Sequence, residues 1–487
     1  MATISPLYQF INDELSFGKS TDLQIISPWD NQVLAQGKES SHEDLAKAME
    51  FAKKAQLEWE NTPLGSRCEI MYKVRSLMLD QIDFLAQLAS KESGKIFGEA
   101  KAGLLNGIEI IEFACSLKNM ELGAKSQVGK NVTCEFIRAP LGITAGITPF
   151  NFPAMVPMWM VPISLCLGNA FIWKPSEKAS ITAIEIAKIF AKAGLPKGLL
   201  TVLLGGPKIV NDLLEHPEIK AIGFVGSTPV AKKVYQKGCE FGKRVLALGG
   251  AKNHIILLPD ADFDLTTSTI VDSFTGCAGQ RCMAASVLLA VGDKDNDEQN
   301  QLINQHIEKI VAMAKSKKCG ETLGAVIDKK SLKRLEDSIE KFTSGSNPCG
   351  KLILDGRRPK MENYQEGNWL APTIIDFVKP DSPLSCEELF GPILAIIRCK
   401  TLEEALRIEE KNPYGNAASV FTQSGKMAQY VTSRVKSSMI GVNVALPVPK
   451  PPFSFGGMND SKFGTLDITG TDGISFWTYQ RKITSRW

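Results

Sequence analysis

The sequence is poor in several features that would narrow its function class. It has only four histidines and no Cys-x-x-Cys pair among its eleven cysteines, so a zinc site is not expected. Its cysteines follow no regular spacing in a chain of 487 residues, which favours free thiols in a reducing compartment over a disulfide framework. The net charge of +3 is small for this length, which argues against nucleic acid or a membrane surface as the partner.

Long apolar segments are also missing. The N-terminus lacks a basic region followed by an apolar stretch, so we expect no signal peptide. The most apolar run, residues 154–168, is interrupted by Pro157 and Pro162 and favours a buried helix over a membrane span. Hydrophobic residues make up 44% and charged residues 22% of the chain, as in ordinary globular proteins. The length therefore predicts a soluble protein of about three domain-sized units.

An alternation of strands and helices occupies most of the chain. Between residues 141 and 248, short apolar strands alternate with helical stretches, after a helical N-terminal region. Continuously apolar strands are typical of a parallel sheet with both faces covered, and such sheets bind ligands at the carboxyl ends of their strands. The alternation resumes at Asn253 and continues to about Pro447. The pattern therefore predicts an α/β fold with two successive sheet regions.

Two segments lie outside this alternation. Residues 125–136 have the pattern of a polar β-ribbon that leaves the main body. The segment from Gly470 to Trp487 reads as an aromatic-rich strand. Because unpaired strands need covering, we expect both segments to find a partner.

The string Gly276-Cys-Ala-Gly-Gln-Arg-Cys-Met-Ala284 contains the strongest candidate for covalent chemistry. A cysteine is a nucleophile only as the thiolate, which needs positive or dipolar surroundings and some exposure. Arg281 directly precedes Cys282, and the two glycines let backbone approach a bound group. Cys277 lacks a flanking Arg and is the weaker candidate. For both thiols, a buried structural cysteine is the alternative interpretation.

The string Thr148-Pro-Phe-Asn-Phe-Pro153 lies between a predicted strand and a predicted helix. This places Asn151 just ahead of a helix N-terminus, where its amide can donate to a developing oxyanion with help from the helix dipole. A plain helix N-cap is the alternative.

Other polar residues follow strands of the predicted sheet. Lys174 and Glu177 could meet ribose hydroxyls or a 2′-phosphate, and Gly226 with Ser227 could hold a phosphate at a helix N-terminus. No Gly-x-Gly-x-x-Gly follows the first strand, so the ordinary dinucleotide fingerprint is missing.

Taken together, these strings resemble the aldehyde dehydrogenase superfamily over nearly the whole chain. The Gly-Gln-Arg-Cys-Met form is similar to its methylmalonate-semialdehyde dehydrogenase branch. The resemblance implies Cys282 as the nucleophile and Asn151 as the group that holds the substrate carbonyl oxygen, with Arg281 as a substrate-binding cation. It also implies NAD as the cofactor, held by Phe150, Lys174, Glu177, Gly226, Ser227, Glu388 and Phe390.

The fold that the resemblance implies is an aldehyde dehydrogenase-like α/β architecture. Residues 1–124 and 141–252 would form a parallel-sheet NAD-binding domain, and residues 253–447 a catalytic domain. Residues 125–140 and 465–487 would form a β-ribbon element for oligomerisation. The expected assembly is a homodimer or a homotetramer of a cytoplasmic enzyme, and the branch implies a place in valine catabolism.

Two departures from the family pattern bear on the chemistry. Hydrolytic aldehyde dehydrogenases open a Glu-Leu-Gly-Gly string with a Glu that activates water, whereas this chain has Ala247, which cannot act as a base. That favours acyl transfer to coenzyme A, which in the resembling branch converts methylmalonate or malonate semialdehyde to propionyl- or acetyl-CoA and carbon dioxide. Where that branch pairs an Arg with the substrate carboxylate, this chain has Asn106, which cannot form a bidentate ion pair. An uncharged acyl group therefore stays open.

Three alternatives stay open. One is a water-using aldehyde dehydrogenase acting on another aldehyde, which needs a base other than residue 247. Another is a cysteine hydrolase in which His254 activates the thiol, although His254 opens a predicted strand and a core role is favoured. The third is a binding protein on a retired enzyme scaffold.

Overall fold

The computed structural model describes residues 4–120, 122–293 and 295–487. Residues 1–3, part of the segment for which no signal peptide is expected, lie outside this description. The α-helices are α1 (His42–Trp59), α2 (Leu64–Asp80), α3 (Ile82–Ser93), α4 (Phe97–Ser116), α5 (Met155–Met158), α6 (Val161–Cys166), α7 (Ile181–Lys192), α8 (Pro207–Glu215), α9 (Thr228–Glu240), α10 (Phe263–Thr275), α11 (Asp297–Lys315), α12 (Lys329–Thr343), α13 (Pro383–Cys386), α14 (Leu402–Glu410), α15 (Gly425–Thr432) and α16 (Gly470–Phe476).

The strands are more numerous and mostly short. They are β1 (Ser5–Leu7), β2 (Gln9–Ile11), β3 (Glu14–Ser16), β4 (Asp22–Ile26), β5 (Val33–Lys38), β6 (Gly123–Gly129), β7 (Val132–Pro140), β8 (Ile143–Ile147), β9 (Ala170–Lys174), β10 (Leu200–Val202), β11 (Ile219–Val225), β12 (Arg244–Leu248), β13 (Asn253–Leu257), β14 (Ala285–Val291), β15 (Lys351–Leu354), β16 (Thr373–Asp376), β17 (Ile393–Cys399), β18 (Ala417–Phe421), β19 (Met439–Val442), β20 (Lys462–Phe463) and β21 (Thr478–Arg486).

Two large sheets organise the chain. The first has eight strands in the order β20-β12-β11-β8-β9-β10-β2-β3, and its central pairs from β12 to β10 are parallel. The second has seven strands in the order β15-β16-β17-β14-β13-β18-β19, with only the β15–β16 pair antiparallel. The predicted α/β fold with two sheet regions is confirmed.

Burial explains why the central strands are mostly apolar. Every residue of β8, β9 and β13 is buried, because helices or loops cover both faces of each sheet. One apolar core surrounds the first sheet, and two cores lie on the faces of the second. No helix in the described part of the chain is long and apolar enough to cross a membrane.

The helix that the sequence predicts over residues 154–167 is only partly formed. The structure has two short helices there, α5 and α6, separated by a turn at Trp159 and Met160. Pro157 and Pro162 lack the amide hydrogen that a continuous helix needs, which accounts for the interruption. The whole segment is nevertheless buried, as expected.

The ribbon and the tail form one antiparallel sheet in the order β21-β7-β6. The tail strand begins only at Thr478, because residues 470–476 form α16 and bury Phe476 and Trp477 in the first core. From Thr478 to Arg486, the tail pairs with β7 residue by residue, so the predicted pairing of ribbon and tail is confirmed. Side chains of β6 are exposed along its whole length. That this sheet reaches a partner subunit stays a prediction.

Candidate active site

A cleft of about 1090 Å³ is lined by loops that follow strands of both large sheets. Nine of the ten candidate residues line it, whereas Arg281 does not. The nine are Phe150, Asn151, Lys174, Glu177, Gly226, Ser227, Cys282, Glu388 and Phe390. The fold therefore brings together residues that are more than two hundred positions apart in the chain.

Asn151 and the loop that carries Cys282 are in direct contact. Asn151 is buried in the loop after β8, and its Nδ2 donates to the carbonyl oxygen of Gln280 at 2.9 Å. At the start of the same loop, the Thr148 hydroxyl oxygen accepts a hydrogen bond from Trp173 Nε1 at 2.9 Å, which fixes this part of the backbone. The following helix, α5, is only four residues long and is capped at Ala154. Asn151 is thus not an N-cap, and little help from a helix dipole is available to it.

Two asparagines that the sequence did not single out hold Cys282 in place. The Cys282 carbonyl oxygen accepts from Asn253 Nδ2 at 2.8 Å and from Asn416 Nδ2 at 3.0 Å. Asn253 is buried at the start of β13, where it also bonds Ala284 O at 3.0 Å. An asparagine at the start of a buried strand is the signal that could have identified it, because a buried amide needs hydrogen-bond partners.

The surroundings of the Cys282 thiol disfavour the thiolate. Burial raises its pKa to about 12, and the charge of Glu388 acts in the same direction. The backbone amides of Cys282 and Met283 and the ammonium group of Lys95 act in the opposite direction. The expectation that Arg281 supplies the positive setting for this thiol is therefore not met.

Arg281 instead belongs to a second cluster behind the loop. Its Nε donates to Cys277 Sγ at 3.2 Å, and its Nη2 lies 3.4 Å from Glu99 Oε1. The same Glu99 oxygen accepts from the Cys277 amide at 2.7 Å. A side chain at position 276 would collide with the guanidinium, which explains Gly276. Arg281 is thus paired with a carboxylate of the protein and does not line the cleft, and its substrate-binding role stays a prediction.

One group of cleft residues has the features of a phosphate and ribose site. Ser227 is the exposed N-cap of α9, its hydroxyl makes no capping bond, and the helix is thirteen residues long. A hydroxyl at the N-terminus of a helix suits a phosphate, although the first turn offers few amides because Pro229 has none and the Val230 amide bonds Ser227 O. Lys174 is buried, donates to Gly205 O at 2.9 Å and lies 3.5 Å from Glu177. Burial lowers the pKa of Lys174.

A second group of cleft residues consists of Glu388, Phe390 and Phe150. Glu388 accepts from the Ala251 amide at 2.9 Å, and burial raises its pKa to about 7. Phe390 has a φ of 58°, in the left-handed region, and its ring meets Phe150 edge-on at 6.0 Å. A cleft that combines a candidate phosphate site with a carboxylate and two aromatic rings fits a nicotinamide dinucleotide.

Two residues bear on the alternatives left open by the sequence. Ala247 is buried within β12, between Phe224 and Phe463, and brings no carboxylate to the cleft. His254 is buried outside the cleft lining, with Nε2 3.4 Å from Ser385 O, and burial lowers its pKa to about 4. The cysteine hydrolase alternative therefore lacks its base. Among the described residues, no group of three His, Cys, Asp or Glu side chains could hold a metal ion.

Comparison with known proteins agrees with this geometry. The model of the aldehyde dehydrogenase family matches residues 17–483. A malonate-semialdehyde dehydrogenase of Pseudomonas aeruginosa is 38% identical over 99% of this chain and 96% of its own length. A solved Sinorhizobium meliloti protein in complex with NAD, assigned as a methylmalonate-semialdehyde dehydrogenase, is 38% identical, with a TM-score of 0.96 over 100% of this chain and 99% of its own. A methylmalonate-semialdehyde dehydrogenase of Oceanimonas doudoroffii is 34% identical, with a TM-score of 0.95 over 99% of both chains.

Proposed function

Because the chain belongs to the aldehyde dehydrogenase family, we propose that it oxidises malonate or methylmalonate semialdehyde with NAD and transfers the acyl group to coenzyme A. The observation that carries the proposal is the contact between Asn151 and the Cys282 loop inside a cleft that fits a dinucleotide. The names of the relatives support the substrate class. Ala247 supports the thiol acceptor, since no base stands at that position to activate water.

In the proposed reaction, the Cys282 thiol gives its proton to solvent water, and its sulfur bonds to the aldehyde carbon. The Asn151 side-chain amide and the Cys282 backbone amide donate to the oxygen that gains the negative charge. Asn253 and Asn416 keep the Cys282 backbone in position while this bond forms. Bound NAD supplies the hydride acceptor. The carbonyl then re-forms, which leaves a thioester on Cys282.

Coenzyme A completes the cycle. Its thiolate attacks the thioester carbon, and the Cys282 sulfur departs as the leaving group. Decarboxylation exchanges the substrate carboxylate for a proton on the neighbouring carbon, so the products are acetyl-CoA or propionyl-CoA and carbon dioxide. Asn106 is exposed on α4 and supplies an amide where the resembling branch has an Arg. We therefore expect weaker selection for a carboxylated over an uncharged aldehyde.

A hydrolytic aldehyde dehydrogenase is the second candidate, and one observation favours it. Glu388 lies in the same cleft as Cys282, and its pKa of about 7 suits a general base at neutral pH. If Glu388 activated water, the thioester would be released as a free acid. Its bond from the Ala251 amide holds it against the Gly250 backbone, which favours a binding role over a mobile base.

The product distinguishes the two candidates. The purified protein would be incubated with NAD and malonate semialdehyde, methylmalonate semialdehyde or propanal, with and without coenzyme A. NADH absorbance would report turnover, and mass spectrometry would identify the product. We expect CoA thioesters and a strong dependence of steady-state rate on coenzyme A. Free acid as the main product in the presence of coenzyme A would contradict the proposal and favour hydrolysis.

A further inference from the structure

A second groove, of about 410 Å³, runs along one exposed face of α12. Its lining comes entirely from this helix: Lys330, Lys333, Arg334, Asp337, Ser338 and Lys341. These positions recur every three to four residues, so they form one stripe along the helix. From Lys330 to Lys341 the stripe is about 16 Å long, at 1.5 Å per residue.

The groove is strongly positive. Four cationic side chains and one carboxylate line it, which leaves an excess of three positive charges in a chain whose total net charge is only +3. The carboxylate, Asp337, is paired with Lys333 at 2.9 Å in an exposed i,i+4 contact, which is a weak interaction. Among the residues that the structure describes, no carboxylate pairs with Lys330 or Lys341. Two ammonium groups at opposite ends of the stripe thus have no internal counterion.

The groove is continuous with the main cleft. Arg334 lines both, and its Nη2 donates to Leu389 O at 2.6 Å, between Glu388 and Phe390. Leu335, on the same helix, packs so closely on Gly391 that a side chain there would collide with it. The helix is therefore fixed against the segment that borders Cys282, and a ligand can extend from the cleft onto the groove.

We propose that this groove binds the phosphate-bearing end of coenzyme A while its thiol reaches Cys282. The inference rests on the proposed function, which requires a long thiol substrate in the cleft. Coenzyme A carries a diphosphate and a 3′-phosphate at the end remote from its sulfur, and ammonium groups bind phosphates as point charges. The candidate phosphate site at Ser227 belongs to α9, whereas the stripe belongs to α12, so the two substrates would use different anion sites.

The test reverses the charge of the groove. In the triple variant Lys330→Glu, Lys333→Glu and Lys341→Glu, we expect KM for coenzyme A to rise by about tenfold or more, with KM for NAD changed less than about twofold. These side chains are exposed, so the fold should tolerate the changes, and circular dichroism would verify this. The matched control is Lys47→Glu with Lys54→Glu on the exposed face of α1, which should leave both KM values unchanged.

Further measurements identify the ligand group. Wild type should prefer coenzyme A over 3′-dephospho-coenzyme A, and the triple variant should lose this preference. Asp337→Asn removes the only acid of the groove, so KM for coenzyme A should fall by about twofold. Adenosine 3′,5′-bisphosphate should compete with coenzyme A in wild type. Increasing salt should weaken the binding of coenzyme A to wild type more than its binding to the triple variant.

The outcomes separate this inference from the proposed function. CoA thioester production by wild type, with an unchanged KM for coenzyme A in the triple variant, would overturn the groove as a site but leave the function intact. A rise in KM for NAD instead would assign the groove to the dinucleotide and also overturn the inference. Free acid as the product of wild type would reject the function itself.

Discussion

Two cysteines five positions apart illustrate how differently neighbouring parts of one loop are built. Cys277 is buried among charged and polar groups, with Arg281 and Glu99 in hydrogen-bond contact. Cys282 has no such partners, faces the cleft, and burial raises the pKa of its thiol to about 12. The cysteine with the guanidinium partner is the one that no substrate can reach.

This contrast shows that the thiol which faces the cleft is not the thiol which contacts the charged side chains. The cluster at Cys277 ties the loop to α4 through Glu99, and it holds Cys277 and Ala278 at φ values of 54° and 53°, in the left-handed region. We infer that this cluster shapes the loop, whereas Cys282 carries the chemistry. On this view, the cost of ionising Cys282 is offset only when its reaction partners are bound.

The largest expected effect comes from replacing each of the two cysteines in turn. Cys282→Ala should lower NADH formation at least roughly a thousandfold, because the nucleophile is lost, while NAD binding persists. Cys277→Ser should keep turnover within about tenfold, since the hydroxyl can still accept from Arg281. Steady-state kinetics and NAD titration would measure both. Loss of turnover in the Cys277 variant with retention in the Cys282 variant would reverse the assignment.

A smaller effect is expected at Asn151, the residue that connects the Cys282 loop to the first sheet. Asn151→Ala should lower kcat by about a hundredfold or more, because one donor to the oxyanion is removed, with little change in KM for NAD. Alkylation of Cys282 by iodoacetamide would report whether the loop stays in place.

The matched control for Asn151 is Asn253→Ala. This change removes a bond to the Cys282 backbone and leaves the oxyanion donor intact. It should change the alkylation rate as well as kcat. An Asn151 variant that behaved like the Asn253 variant would indicate a role in positioning alone.

The sequence predicted the sheets better than the loop. Mostly apolar strands such as β8 and β14 are specified locally, because each needs only a cover on both faces. The break between α5 and α6 falls at Trp159 and Met160, between two prolines that the sequence shows and that a continuous helix would not tolerate. The direction in which the Arg281 side chain points could not be predicted, because its partner Glu99 lies in α4, 182 positions away. Arg281 and Cys282 lie in a turn closed by a bond from the Ala284 amide to Arg281 O, and only Cys282 lines the cleft, so proximity in sequence did not bring the guanidinium to the Cys282 thiol.

The smallest expected effect is a pH-dependent change in the alkylation rate of Cys282 when Glu388 is replaced. Glu388 is the carboxylate whose charge acts on the Cys282 thiol. Burial raises its pKa to about 7, so it is charged above that pH, and its charge raises the pKa of Cys282. In Glu388→Gln without NAD, iodoacetamide should therefore alkylate Cys282 faster than in wild type, by about threefold at pH 8.5. Below about pH 6, Glu388 is protonated in wild type and the two rates should converge.

Mass spectrometry of the peptide that contains Cys282 would give these rates, with Glu177→Gln as the control, since Glu177 is a more exposed carboxylate in the same cleft. A constant ratio of the two rates across this range would mean that Glu388 acts on the thiol through packing and not through its charge. In that case, the raised pKa of the Cys282 thiol would depend on burial alone.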